Sequence, residues 1–179
     1  KDPQQVRLQS EVVELIRQAN RANWWVVIVS NQSGLGRNYF TWDQCEAVHF
    51  QMMRKLAEQK VWVDRVLMAP YYGDSNQAEF LYGKSWRKPR PGMMNQACEE
   101  LSIDRSRSIM IGDNVSDMMA GAVAQIKNLC LLESPRVAAS SAEVLSQKDI
   151  ESWRSWPLNS RTEYGLEIPR CAHVGELEK

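Results

Sequence analysis

Four short apolar runs constrain the fold most: WWVVIVS at residues 24–30, RVLMA at 65–69, SIMI at 108–111 and NLCLL at 128–132. The first is nearly continuous and β-branched, as expected for a parallel strand covered on both faces, and the others read as further strands. The segments between them carry helical periodicity. Val12, Val13, Leu15, Ile16 and Ala19 mark an amphipathic helix over residues 9–22. Thr41 is a good N-cap, with Asp43 and Gln44 in the first turn of a helix reaching about residue 59, whose inner side carries Cys45, Val48, Met52, Met53 and Leu56. Residues 92–101 and 115–125 read as further helices, and 142–153 as a last one. Strands alternating with helices mean α/β with a mostly parallel sheet. The chain opens on a helix, however, whereas a crossover helix follows a strand. Residues 1–8 are polar and contain a proline, so they supply no buried strand.

Composition narrows the function. Lys+Arg and Asp+Glu both number 22, giving zero formal net charge, so nucleic acid is not an expected partner. No apolar run is long enough to span a bilayer, and membrane association is not expected. Cys45, Cys98, Cys130 and Cys171 lie far apart without a C-x-x-C pair, which fits a reducing cytoplasm. The expected organisation is a core over residues 1–153 and an irregular tail over 154–179. Residues 70–91 show no clear period, and a loop this long inside a compact domain is usually functional or mobile. Nothing in the sequence sets an oligomeric state.

Three segments place phosphate chemistry at strand ends. In IMIGDNVSD, an apolar run ends in a glycine, followed by Asp113 and Asp117 at i, i+4 spacing. Hard oxygen ligands at the carboxyl end of a buried strand suit Mg²⁺ and a phosphate. The competing reading makes Asp113 a helix cap and Asp117 a complement to the helix dipole. In SNQSG, the Ser30 hydroxyl and the amides that follow can hold phosphate oxygens, although an ordinary turn uses the same residues. In RKPRPG, Arg87, Lys88 and Arg90 are stiffened by Pro89 and Pro91; a lysine suits a phosphate beside a carboxylate, and a solvated basic loop is the alternative.

Jointly, Ser30 in VIVSNQSG, Lys88 in RKPRPG, and Asp113 with Asp117 in IGDNVSD resemble the haloacid-dehalogenase (HAD) superfamily, in order and in strand context. VVIVSNQSGLGRNYFT and RKPRPGM look like the subgroup of D-glycero-D-manno-heptose 1,7-bisphosphate and histidinol-phosphate phosphatases. The resemblance runs from about residue 3 to residue 132. It implies a Rossmann-like sheet with helices on both faces and no large cap domain, with the loop over 70–86 gating the site. It implies Mg²⁺-dependent hydrolysis of a small phosphorylated metabolite, such as a sugar phosphate. Residue by residue, it implies that Ser30 and the Asn31 amide hold the phosphoryl group and that Lys88 neutralises charge. Asp113 would ligate Mg²⁺, Asp117 would sit just behind it, and Asn114 is a weaker metal candidate. Arg37 and Arg87 match positions that contact the remote part of the substrate. Positioning plus charge neutralisation is most of what phosphoryl transfer requires.

Two departures matter. The family's first motif, D-x-D-G-T/V at the end of a central strand, occurs nowhere in this chain. Its first Asp forms an aspartyl-phosphate and its second is the general acid and base. Residues 1–8 resemble the segment following that motif, so the expectation is a nucleophile upstream of Lys1, with these 179 residues inactive alone. Many relatives also carry a zinc loop; the aligned positions here are Ala69, Tyr71, Lys84 and Trp86, so no zinc is expected. The alternatives are a non-catalytic phospholigand-binding module and a nucleic-acid 3′-phosphatase, the latter disfavoured by the zero net charge. His49 and His173 have no evident catalytic partner.

Overall fold

A computed structural model of the chain describes residues 2–72, 85–132 and the backbone of 170–171. The helix expected over 142–153, most of the tail, and Lys84 and His173 lie outside the described residues. After a short 3-10 turn at Pro3–Gln5, whose first amides are capped by Asp2, the order is α1 (Ser10–Arg21), β1 (Val27–Asn31), the helical turn α2 (Ser33–Gly36) and α3 (Trp42–Glu58). Then come β2 (Arg65–Ala69), α4 (Gly92–Leu101), β3 (Ile109–Gly112), α5 (Val115–Val123), β4 (Asn128–Leu132) and a two-residue β5 (Arg170–Cys171). Every strand pairing among the described residues is parallel, in line with the mostly parallel sheet expected.

The local signals explain most element ends. Thr41 and Gln44 form a reciprocal capping box that starts α3. Ser102 ends α4 in the left-handed conformation. The first strand begins three residues later than its apolar run, because Trp24 and Trp25 are 48% and 56% exposed and stand outside the sheet. Within the segment read as an irregular tail, Arg170–Cys171 adds a short strand beside β4.

The strands form two sheets, β1-β2 and β3-β4-β5. Helix α4 unites them: Met93, Met94, Ala97 and Cys98 pack in one core with Leu67 and Ala69 of β2, Ala120 of α5, and flanking Val27, Val29, Met110 and Leu129. On the other side, Val13 and Ile16 of α1 pack with Leu56 of α3 and Val61. Asn20 is buried with this layer and pairs its carboxamide with both backbone groups of Trp62, at 3.1 and 3.0 Å.

Among the described residues, β1 pairs only with β2, and β3 only with β4. Parallel ladders send the amides of alternate residues to opposite edges. The Val26 carbonyl and Gln32 amide bond to β2 and its flanks, so Val27, Val29 and Asn31 direct their backbone groups to the other edge. By the same alternation Ile109 and Ile111 of β3 point away from β4, since the Ser108 carbonyl serves Asn128. All residues of β1 and β3 are accordingly only half-buried, although their side chains are mostly apolar.

Candidate active site

The site forms where β1 and β3 end. Lys88, in the turn before α4, reaches across. Its Nζ donates to the Val29 carbonyl at 2.8 Å and lies 2.7 Å from Asp117 Oδ1. That carbonyl is one directed away from β2, so the ammonium satisfies the open edge of β1. Both members of the ion pair are well buried, with side-chain exposures of 11% for Lys88 and 8% for Asp117. A pair this shielded is weakly screened by salt.

Asp117 is tied at both oxygens. Oδ1 meets Lys88, and Oδ2 accepts the Asn114 amide at 3.1 Å. Asn114, not Asp113, is the N-cap of α5: its Oδ1 accepts the Ser116 amide at 2.9 Å, completing a capping box with Asp117. The two readings of Asp117, helix start and charged site, are therefore one arrangement. Asn114 Oδ1 takes one bond in the cap and keeps a second lone pair. Asp113 sits half-buried on the loop between β3 and α5, next to the cap residue Asn114.

Gly112 is a requirement the sequence signalled only as a strand-ending glycine. A Cβ there would lie 2.5 Å from both Cβ and Oδ2 of Asp117, so only glycine lets the carboxylate fold back over the strand end. A second close approach occurs at Gly36, where a Cβ would meet the Pro70 carbonyl at 2.7 Å. This seats α2 against the end of β2, with the Gly36 amide donating to that carbonyl at 3.2 Å.

The remaining expected residues are placed as follows. Ser30 lies on β1 beside Asn31, and its hydroxyl accepts from Gln32 Nε2 at 2.9 Å. Arg37 follows α2 and stacks its guanidinium over the Tyr72 ring at 3.6 Å from the centroid. Tyr72 as a platform for Arg37 was not anticipated from the sequence. Arg87 is half-buried beside Lys88. The structure thus joins Asn31, Lys88, Asn114 and Asp117 by direct bonds, while Arg37 stands on a separate stack. Among the described residues no three His, Cys, Asp or Glu side chains form a ready-made metal cage. No helix among them is long and apolar enough to cross a membrane.

Comparison with known proteins agrees with this geometry. The HAD-hydrolase-like family matches residues 85–134, the span that carries Lys88, Asp113 and Asp117. The D-glycero-beta-D-manno-heptose-1,7-bisphosphate 7-phosphatase of Mesorhizobium japonicum is 38% identical over 67% of this chain, and the match spans 55% of that relative's length. The phosphatase of the same name from Pasteurella multocida is 34% identical over 81% of this chain and 78% of its own. A HAD-like phosphatase structure from Mesorhizobium loti superposes with a TM-score of 0.71 at 36% identity, covering 74% of this chain and 64% of that one. The D,D-heptose 1,7-bisphosphate phosphatase of B. bronchiseptica, solved with magnesium and phosphate, shares the fold at a TM-score of 0.71 and 23% identity, over 99% of this chain and 84% of that one. The chain belongs to the HAD superfamily of phosphatases, in the subgroup of the D-glycero-beta-D-manno-heptose-1,7-bisphosphate 7-phosphatases.

Proposed function

We propose that this chain belongs to a Mg²⁺-dependent phosphomonoester hydrolase acting on a small sugar phosphate, with heptose 1,7-bisphosphate as the first substrate to test. The observation that carries the reading is the buried Lys88 ammonium, held between the Val29 carbonyl and Asp117 beside the Asp113 loop. A fixed cation at the carboxyl end of parallel strands can neutralise a phosphoryl group while water is excluded.

In this reading the Ser30 hydroxyl and the Asn31 amide orient the phosphoryl oxygens. Lys88 offsets the charge between phosphate and nucleophile. Arg37, on its Tyr72 platform, faces the remote part of the substrate. The donor set suits Mg²⁺: one carboxylate, Asp113, at a strand end, without a full protein cage among the described residues. Mg²⁺ is typically held by one or two carboxylates together with water and phosphate oxygens. Bound there, the ion would supply charge neutralisation at the phosphoryl oxygens. Asp117 would stand behind Asp113 and hold Lys88.

The nucleophilic Asp is supplied by a strand outside these residues. The outward-directed backbone groups of Val27 on β1, and of Ile109 and Ile111 on β3, support a parallel strand between the two sheets, ending where Lys88 takes the Val29 carbonyl. Its carboxyl end would place a D-x-D pair beside Lys88. The test is phosphate release from heptose 1,7-bisphosphate and a panel of phosphorylated metabolites by the native protein, with and without Mg²⁺. Lys88→Ala and Asp113→Asn are each expected to abolish turnover. Turnover that survives either substitution, or no turnover of any phosphomonoester with Mg²⁺ present, overturns the reading.

A further inference from the structure

Asn31 is the last residue of β1, and its side chain is committed to the backbone of another segment, as that of Asn20 is. The Lys88 amide donates to Asn31 Oδ1 at 3.0 Å, and Asn31 Nδ2 donates to the Lys88 carbonyl at 2.9 Å. The carboxamide thus pairs with both backbone groups of a single residue 57 positions away. This is what a neighbouring strand's peptide unit would do, performed by a side chain. The same residue's ammonium returns to β1 at the Val29 carbonyl. Lys88 is therefore tethered to one strand at its main chain and at the tip of its side chain.

A lysine is a poor fixed charge, since its flexible stem carries large rotamer entropy. Anchoring the main chain removes one source of that freedom, and the Val29 carbonyl with Asp117 removes the rest. A carboxamide offers the required donor and acceptor on two adjacent atoms of one planar group. An aspartate in its place accepts from the Lys88 amide but has no donor for the carbonyl. We propose that the Asn31 side chain is a positioning residue for Lys88: by clamping the Lys88 backbone to the end of β1, it fixes the ammonium where the phosphoryl group is to be neutralised. The proposal deepens the phosphatase reading and rests on it for its purpose, while the clamp can be tested alone.

The test reads the Lys88 amine directly. Wild type, Asn31→Ala and Asn31→Asp are reductively methylated, and the rate at Lys88 is followed by peptide mass spectrometry against Lys55 and Lys60 as internal controls. In wild type, Lys88 should react slowly. In Asn31→Ala it should react about tenfold faster, a factor consistent with the loss of two hydrogen bonds, with Lys55 and Lys60 unchanged. Asn31→Asp retains one bond, and its Lys88 rate should fall between the two; it carries the test if Asn31→Ala fails to fold. An unchanged Lys88 rate in the folded variants overturns the proposal. So does equal acceleration at all three lysines, which would mean general loosening. Binding of inorganic phosphate, followed by ³¹P NMR on the same proteins, separates the two ideas. A wild type that binds no phosphate counts against the phosphatase reading and leaves the labelling result standing.

Discussion

Replacing Asp117 with Asn removes one charge from the Lys88–Asp117 pair and keeps its shape. The pair is 2.7 Å apart with side-chain exposures of 11% and 8%, so solvent offers the stranded ammonium little compensation. Breaking one partner of a buried pair costs ~3–5 kcal/mol, because the other charge stays buried. The low end applies here, since Lys88 keeps the Val29 carbonyl as an acceptor. A loss of ~3 kcal/mol is a large share of the ~5–15 kcal/mol available to a domain. For a chain of this size it lowers the melting temperature by roughly 6–12 °C, at ~2–4 °C per kcal/mol. Urea and thermal unfolding should be run on Asp117→Asn, Lys88→Met and the double variant. If the pair acts as a unit, the double variant is more stable than the sum of the singles requires, with a coupling of at least ~2 kcal/mol. A single Asp117→Asn variant within ~0.5 kcal/mol of wild type, or strictly additive losses, would refute a buried, mutually dependent pair.

Gly112→Ala puts a Cβ 2.5 Å from Asp117 Oδ2, so the carboxylate must move and the bond to the Asn114 amide is lost. Overpacking of this kind costs ~1–3 kcal/mol, and chemical denaturation should show it together with faster Lys88 labelling. Thr41→Ala removes the hydroxyl that accepts the Gln44 amide at 3.3 Å, and should cost about 1 kcal/mol by urea unfolding. Burial pushes the Cys45 and Cys98 thiols up, so they stay protonated at pH 8 and should resist iodoacetamide until the protein is unfolded. The sign for stability follows: the raised thiols favour the fold below the ordinary thiol range. That contribution is lost as pH rises through their folded values, which alkaline melting curves would show.

Much of the scaffold was legible because it rests on local rules. The strands Arg65–Ala69 and Asn128–Leu132 begin and end with their apolar runs, and Gly92–Leu101 is the helix its pattern implies. The Thr41 and Gln44 box is written into four residues. The start of β1 was not legible: hydrophobicity runs on through Trp24 and Trp25, and nothing local says that these large side chains stay exposed. At the site, residue types and order pointed to Lys88, Asp113 and Asp117, but not to what holds them. The Asn31 clamp spans 57 positions, and the choice of Asn114 over Asp113 as the cap is decided by backbone geometry that either residue type permits.

The half-burial of β1 and β3 ties the fold to the chemistry. An unalternating apolar strand is built to be covered on both faces and paired at both edges. Among the described residues each of these strands is paired on one side only. An unmet carbonyl in such a place costs free energy, and at Val29 it is the Lys88 ammonium that meets it. The same ammonium is the one paired with Asp117. Asn31 holds that group's backbone and Asp117 its charge, and Gly112 makes room for Asp117. The end of β1 and the first turn of α5 thus each contribute a part to the placement of a single cation from the turn before α4. This physical dependence ties Asn31, Lys88 and Asp117, from three separate segments, into one bonded arrangement.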